Sequence, residues 1–219
     1  GGELLEMSGK PKKDDKILVD RFNKTEVNCN YLLENKHNKY LEGSRAEAVD
    51  IAATLKHNGV DVNLYLGGDA SDFSLQDIID ARNKIIHIAA HSFNYSKEEA
   101  KVSDFYKGHE YVLDLADPML RYGIILAPDS IMESMSPFNG IVTASQIANC
   151  NFADCSLLVL SSCGSGLGDI QADGLYGLSR AFRMAGAQTV VMSLWDVSDN
   201  ATNIFMNAFY KASTSGWNK

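Results

Sequence analysis

Two apolar runs, each breaking off into small residues, constrain this chain most. Ser156 to Leu160 (SLLVL) leads into Ser161-Ser162-Cys163-Gly164-Ser165-Gly166, and Lys84 to Ala90 carries Ile85-Ile86-His87-Ile88 up to His91-Ser92. A strand with one wet face alternates polar and apolar residues. A strand apolar at almost every position is covered on both faces, which is the condition of a parallel sheet between helix layers. The intervening segments supply helices. The expected class is therefore α/β, an α/β/α sandwich with a mostly parallel central sheet.

The first fifteen residues, with Gly1-Gly2 and a lysine-rich run from Lys10 to Lys16, read as a solvated lead-in, and residues 16–219 as the domain. Lys16 to Asp20 (KILVD) is a short strand candidate, and 21–43 a polar loop. Ala46, Val49, Ile51, Ala52, Ala53 and Leu55 recur at helical spacing, with Ser44 as N-cap and Glu47 three residues on. Asn58-Gly59 stops that helix. Further elements are a strand over Val60–Leu66, a helix over Ser74–Arg82, a short helix over Ala144–Asn149, a helix over Gly174–Ala185 and a strand over Thr189–Leu194. A last helix starts near Ser198. Residues 93–140 form a long excursion of weak period, with a hairpin candidate at Tyr111–Leu115 and Gly123–Leu126. Its Gly, Ser, Asn and acidic content predicts mobility beside a substrate groove. The lack of a closing element after Ser213 suggests a domain cut from a longer chain.

Of the 219 residues, 45% are hydrophobic and 22% charged, an ordinary globular balance. Lys and Arg number 20 against 28 Asp and Glu, a net charge of −8, which argues against nucleic acid or an anionic membrane as the main partner. No apolar stretch approaches the roughly 20 residues of a membrane span, and no signal-peptide pattern opens the sequence. Cys29, Cys150, Cys155 and Cys163 form no CxxC pair, so neither a disulfide scaffold nor a zinc site is expected. Free thiols suit a reducing, cytoplasmic compartment.

Chemistry concentrates at the two strand ends. Carboxyl ends of strands are where open α/β sheets place their sites. Cys163 sits in a turn whose small neighbours admit a substrate backbone, and a thiol needs a base to become a nucleophile. His91, at the end of the other strand, supplies it. His87 falls on the same face by strand alternation, but among isoleucines it reads as a core histidine. Gly164–Gly168 also suits a phosphate-cradling turn, although the acidic or Lys-Ser/Thr companions of such a turn are missing.

These residues resemble the CHAT family, caspase-like cysteine peptidase domains related to separases and commonly placed behind tetratricopeptide repeats. The resemblance runs from about 41 to 212. It includes Leu41-Glu42-Gly43-Ser44 with Glu47, His87-Ile88-Ala89-Ala90-His91, Asp117-Pro118-Met119-Leu120-Arg121, and Val159-Leu160-Ser161-Ser162-Cys163. It continues through Asp173 to Phe182 and Ser193-Leu194-Trp195-Asp196-Val197. Two positions depart from the family pattern. Ser92 stands where the family has Gly after the histidine, and Gly164 where many relatives have Glu. If position 92 required φ > 0, a Cβ there would cost about 1 kcal/mol.

The resemblance implies a cysteine endopeptidase acting on protein substrates, with His91 and Cys163 catalytic and the backbone N–H groups of Ser92 and Cys163 holding the oxyanion. No metal or cofactor is implied. It further implies an upstream repeat domain or regulatory protein and a bacterial setting. By likeness to separases, Asp196, Asp199 and Asn203 border the pocket for a basic residue before the cleaved bond, Asp199 being placed equally to cap the final helix. The alternative is a catalytically inactive scaffold that signals by conformation.

Overall fold

Ala48, Ile51, Ala52 and Leu55 are all buried on one side of α1 (Glu42–His57). Gly59, at φ +76°, closes the helix, its N–H donating to the Lys56 carbonyl and the Val60 N–H to the Leu55 carbonyl, both at 3.0 Å. Glycine adopts that left-handed turn without a Cβ penalty. The computed structural model describes residues 3–7, 42–94, 117–127, 140–162, 169–171, 174–195 and 198–215. The strand expected at 16–20 and most of the loop expected at 21–43 lie outside them. Because α1 begins at Glu42, Ser44 is a buried residue of its first turn and not an N-cap.

The strands in chain order are β1 (Glu3–Met7), β2 (Val62–Tyr65), β3 (Ile85–Ala89), β4 (His91–Asn94) and β5 (Tyr122–Ile125). They continue with β6 (Ile141–Thr143), β7 (Leu157–Ser161), β8 (Asp169–Gln171), β9 (Gly174–Tyr176) and β10 (Val190–Met192). The other helices are α2 (Asp72–Asp80), α3 (Ala144–Ala148), α4 (Leu178–Met184) and α5 (Asp199–Thr214).

The central sheet runs β10-β7-β3-β1-β2. β10, β7 and β3 are parallel, and only β1 opposes its neighbours. Glu3–Met7 thus departs from the expected solvated lead-in: Leu4, Leu5 and Met7 have the content of a strand, and Leu5 pairs with both Leu64 and His87. Ile86, Ile88, Leu158 and Leu160 pack with α2, α3 and α4 in one core. Leu157 and Val159 pack with α1 and α5 in the other, Met206 and Tyr210 coming from α5. The result is the expected α/β/α sandwich around a mostly parallel sheet.

Part of the supposed excursion is ordered structure. β4, β5 and β6 make a second, antiparallel sheet, in which Tyr122, Ile124 and Ile125 are buried. Of the expected hairpin, the Gly123–Leu126 arm falls largely within β5, which pairs with β4 and β6, and the Tyr111–Leu115 arm lies outside the described residues. The helix expected from Gly174 begins only at Leu178, because Gly174–Tyr176 pairs as β9 with β8. Ser198 caps α5, its hydroxyl accepting from the Ala201 N–H at 3.3 Å. Asp199 is therefore the first helical residue and not the cap.

Candidate functional site

β3 and β7 run side by side in the register His87–Val159, Ile88–Leu160 and Ala89–Ser161. The Ala90 N–H then donates to the Ser161 carbonyl at 3.3 Å. Both carboxyl ends therefore reach the same edge of the sheet. His91 lies two residues beyond Ala89, and Cys163 two residues beyond Ser161. Cys163 and the glycine-rich turn to Gly168 lie outside the described residues.

His91 does not continue β3. The chain leaves the central sheet at Ala90, and His91 opens β4 opposite Ile125, half-buried. Reading one strand through positions 87 to 91 put both histidines on one face; the break at Ala90 places them in different sheets. Ser92 is buried opposite Ile124 in extended backbone. Among the described residues the only non-glycine with positive φ is Arg82, so the feared Cβ penalty at Ser92 does not arise.

Beneath the strand ends lies a buried polar network that the sequence reading missed. The helical spacing that turns Ala48 and Ile51 onto the sheet turns Glu47 there too, leaving it 2% exposed. Its Oε1 is 2.8 Å from His87 Nε2, and its Oε2 accepts from Ser161 Oγ at 3.1 Å. On the other side of the ring, His87 Nδ1 is 3.1 Å from the Tyr210 hydroxyl. Burial, then the charges of Glu47 and Cys155, push the Tyr210 phenol well above its ordinary range, so the hydroxyl keeps its proton. With Tyr210 donating to Nδ1 and Nε2–H donating to Glu47, every member of the chain has a partner. The available signal was a carboxylate on an apolar helix face and an imidazole among isoleucines, since each needs a buried partner.

The turn after β7 is held from another side. Ser193 Oγ donates to the Ser162 carbonyl at 2.5 Å, tying the segment after β10 to the residue before Cys163. Leu194 and Trp195 beyond it are 59% and 67% exposed. Of the residues expected to line a substrate pocket, Asp196 lies outside the described residues, and Asp199 begins α5. Asn203 is half-buried, and its backbone and side-chain oxygens both accept from Asn207 Nδ2 one turn later.

Two cysteines, Cys150 and Cys155, lie among the described residues, and both are free thiols. Cys155 is buried and donates to the Leu157 carbonyl at 3.3 Å. Cys150 donates to the Gln146 carbonyl at 3.4 Å, and burial followed by the Asp80 charge pushes its thiol up. Among the described residues no group of three His, Cys, Asp or Glu side chains is arranged to hold a metal. No described helix is long and apolar enough to cross a membrane.

Comparison with known proteins adds three findings. A family model described as CHAT domain matches residues 7–219. Tetratricopeptide repeat protein 28 of Mus musculus is 47% identical over 60 residues, 27% of this chain and 2% of that protein. Tetratricopeptide repeat protein 28 of Homo sapiens is 43% identical over 60 residues, again 27% and 2%. The match thus spans a very small part of each relative. Both relatives are mammalian and lend no support to a bacterial setting.

Proposed function

The chain belongs to the CHAT domain family, and from that premise we propose that it is a cysteine endopeptidase of the caspase-like class. The register of β3 and β7 is the observation that supports this most, since Ala89 opposite Ser161 leaves His91 and Cys163 equally far beyond a paired strand end. In the proposed reaction His91 accepts the Cys163 proton, and the thiolate attacks the peptide carbonyl carbon. The backbone N–H groups of Cys163 and Ser92 hold the oxyanion. As the C–N bond breaks, His91 returns the proton to the leaving amine and a thioester remains. Water, deprotonated by His91, attacks that thioester and releases the acid, restoring the thiol. The route needs no metal or cofactor.

Asp196 and Asp199 supply negative charge for a basic side chain before the cleaved bond. Asn203, engaged by Asn207, adds none. A carboxylate in a confined pocket pairs best with Arg or Lys. The substrate is a protein. The relatives are named for tetratricopeptide repeats, which supports control by a repeat domain or regulatory partner, and the cytoplasmic setting rests on the sparse, unpatterned cysteines alone.

The test is covalent labelling by an arginyl chloromethylketone, with the adduct located by peptide mapping. The reading expects an adduct at Cys163 that is lost in His91→Ala. A folded chain that forms no adduct at Cys163 is the inactive scaffold instead.

A further inference from the structure

The reaction described above makes no use of the buried chain Ser161–Glu47–His87–Tyr210, whose members are 7%, 2%, 0% and 1% exposed. Removing a carboxyl group and an imidazole from water is costly unless both find partners. Apolar side chains of the same volume would fill this space with no such requirement. Something besides packing is therefore served by the polar set.

The geometry indicates what. Glu47 divides its two oxygens between neighbouring strands, Oε1 to His87 on β3 and Oε2 to Ser161 on β7. His87 is in register with Val159, so the carboxyl group spans the strands on a diagonal that ends at the last residue of β7. Ser161 is where β7 leaves the sheet. Anchoring its Oγ fixes its side-chain rotamer and, with the Ala90 bond to its carbonyl, the direction in which the chain leaves the sheet at Ser162. The same carboxyl group holds His87, four residues before His91. Tyr210 closes the far side of the imidazole and ties α5 to the set.

We propose that Glu47 is a positioning residue, its carboxyl group setting the relative placement of Cys163 and His91 through Ser161 and His87. The inference rests on the reading that Cys163 and His91 are the reacting pair. Glu47 acts through other side chains and is not itself catalytic. A misplacement of about 1 Å between reacting groups lowers a rate by about a hundredfold, so a small relaxation of the β7 end is enough to be measured.

The experiment measures the rate of alkylation by iodoacetamide at Cys163, Cys150 and Cys155 separately, by peptide mapping in the full chain, alongside thermal melting. Ser161→Ala removes one hydroxyl and leaves the Glu47–His87 contact in place, so it is the variant that disturbs folding least. It is expected to slow Cys163 by about tenfold or more while Cys150 and Cys155 keep their rates. Glu47→Gln, whose amide oxygen can accept from His87 Nε2–H while its NH2 donates to Ser161 Oγ, is expected to retain more of the Cys163 rate than Glu47→Ala. General loosening would instead speed all three cysteines together and overturn the proposal. If Ser161→Ala and Glu47→Ala stay within about twofold of the parent at Cys163 while His91→Ala slows it, the positioning role falls and the reacting pair stands. If His91→Ala leaves Cys163 unchanged, the reacting pair falls and the positioning role with it.

Discussion

Ala89 and Ser161 face one another as the last paired residues of β3 and β7, and the Ala90 N–H bonds the Ser161 carbonyl at 3.3 Å. Parallel strands that end together bring two loops to one edge of the sheet, although the loops are distant in sequence. Here the chain leaves β3 at Ala90 and His91 opens β4, while Cys163 follows the end of β7 by two positions in sequence. The proposed pair thus rests on the register of the sheet, and Glu47, His87 and Ser161 hydrogen-bond to one another at that edge.

His87→Ala tests that support. The substitution leaves Glu47 Oε1 and the Tyr210 hydroxyl without a partner in a dry site and opens a cavity where a fully buried ring stood. The expected loss is about 3 kcal/mol of folding stability. Urea denaturation measures it, and a loss below about 1 kcal/mol contradicts a tightly paired network.

Gly123→Ala tests the sheet that carries His91. Gly123 pairs with Phe93 on β4, and a Cβ at that position would run into Phe93 Cε1 and Cζ and stand 2.6 Å from the Val142 carbonyl oxygen. Flanked by an aromatic ring and a backbone carbonyl, the site cannot yield cheaply. We expect a loss of about 2 kcal/mol together with weakened hydrogen-exchange protection across β4–β6. Protection equal to the parent's would contradict this packing.

Cys150 provides a test by pH. Burial and Asp80 raise its thiol, so in the folded chain the thiolate forms only at higher pH than in an unfolded peptide. Its alkylation is expected to be slow at neutral pH and still rising above about pH 8.5, the range of an ordinary thiol. A rate that levels off by about pH 8 contradicts the raised thiol.

The α/β class was legible in the sequence because β3 and β7 are covered on both faces, and that requirement writes itself as unbroken apolar runs. Gly59 marked the end of α1 for an equally local reason, its backbone conformation. Features decided by distant pairing were not legible. Glu3–Met7 is a strand through its bonds to β2 and β3, and Gly174–Tyr176 is a strand through β8. Glu47 looked like part of a helix start because its partners lie 40 and 114 positions away. At the site, His91 and Ser92 are placed at the sheet edge, whereas the geometry at Cys163 and Asp196 lies outside the described residues.

The central claim is that Cys163 is the nucleophile and His91 its base, and peptide cleavage by the two single variants tests it most directly. A panel of fluorogenic peptides varying the residue before the scissile bond is cleaved by the parent chain, and Cys163→Ala and His91→Ala are assayed on the best substrate with folding checked by circular dichroism. The account predicts that the parent prefers Arg or Lys at that position and that both variants, while folded, lose cleavage by a factor of about a thousand or more. Cleavage by Cys163→Ala at the parent's rate would contradict it.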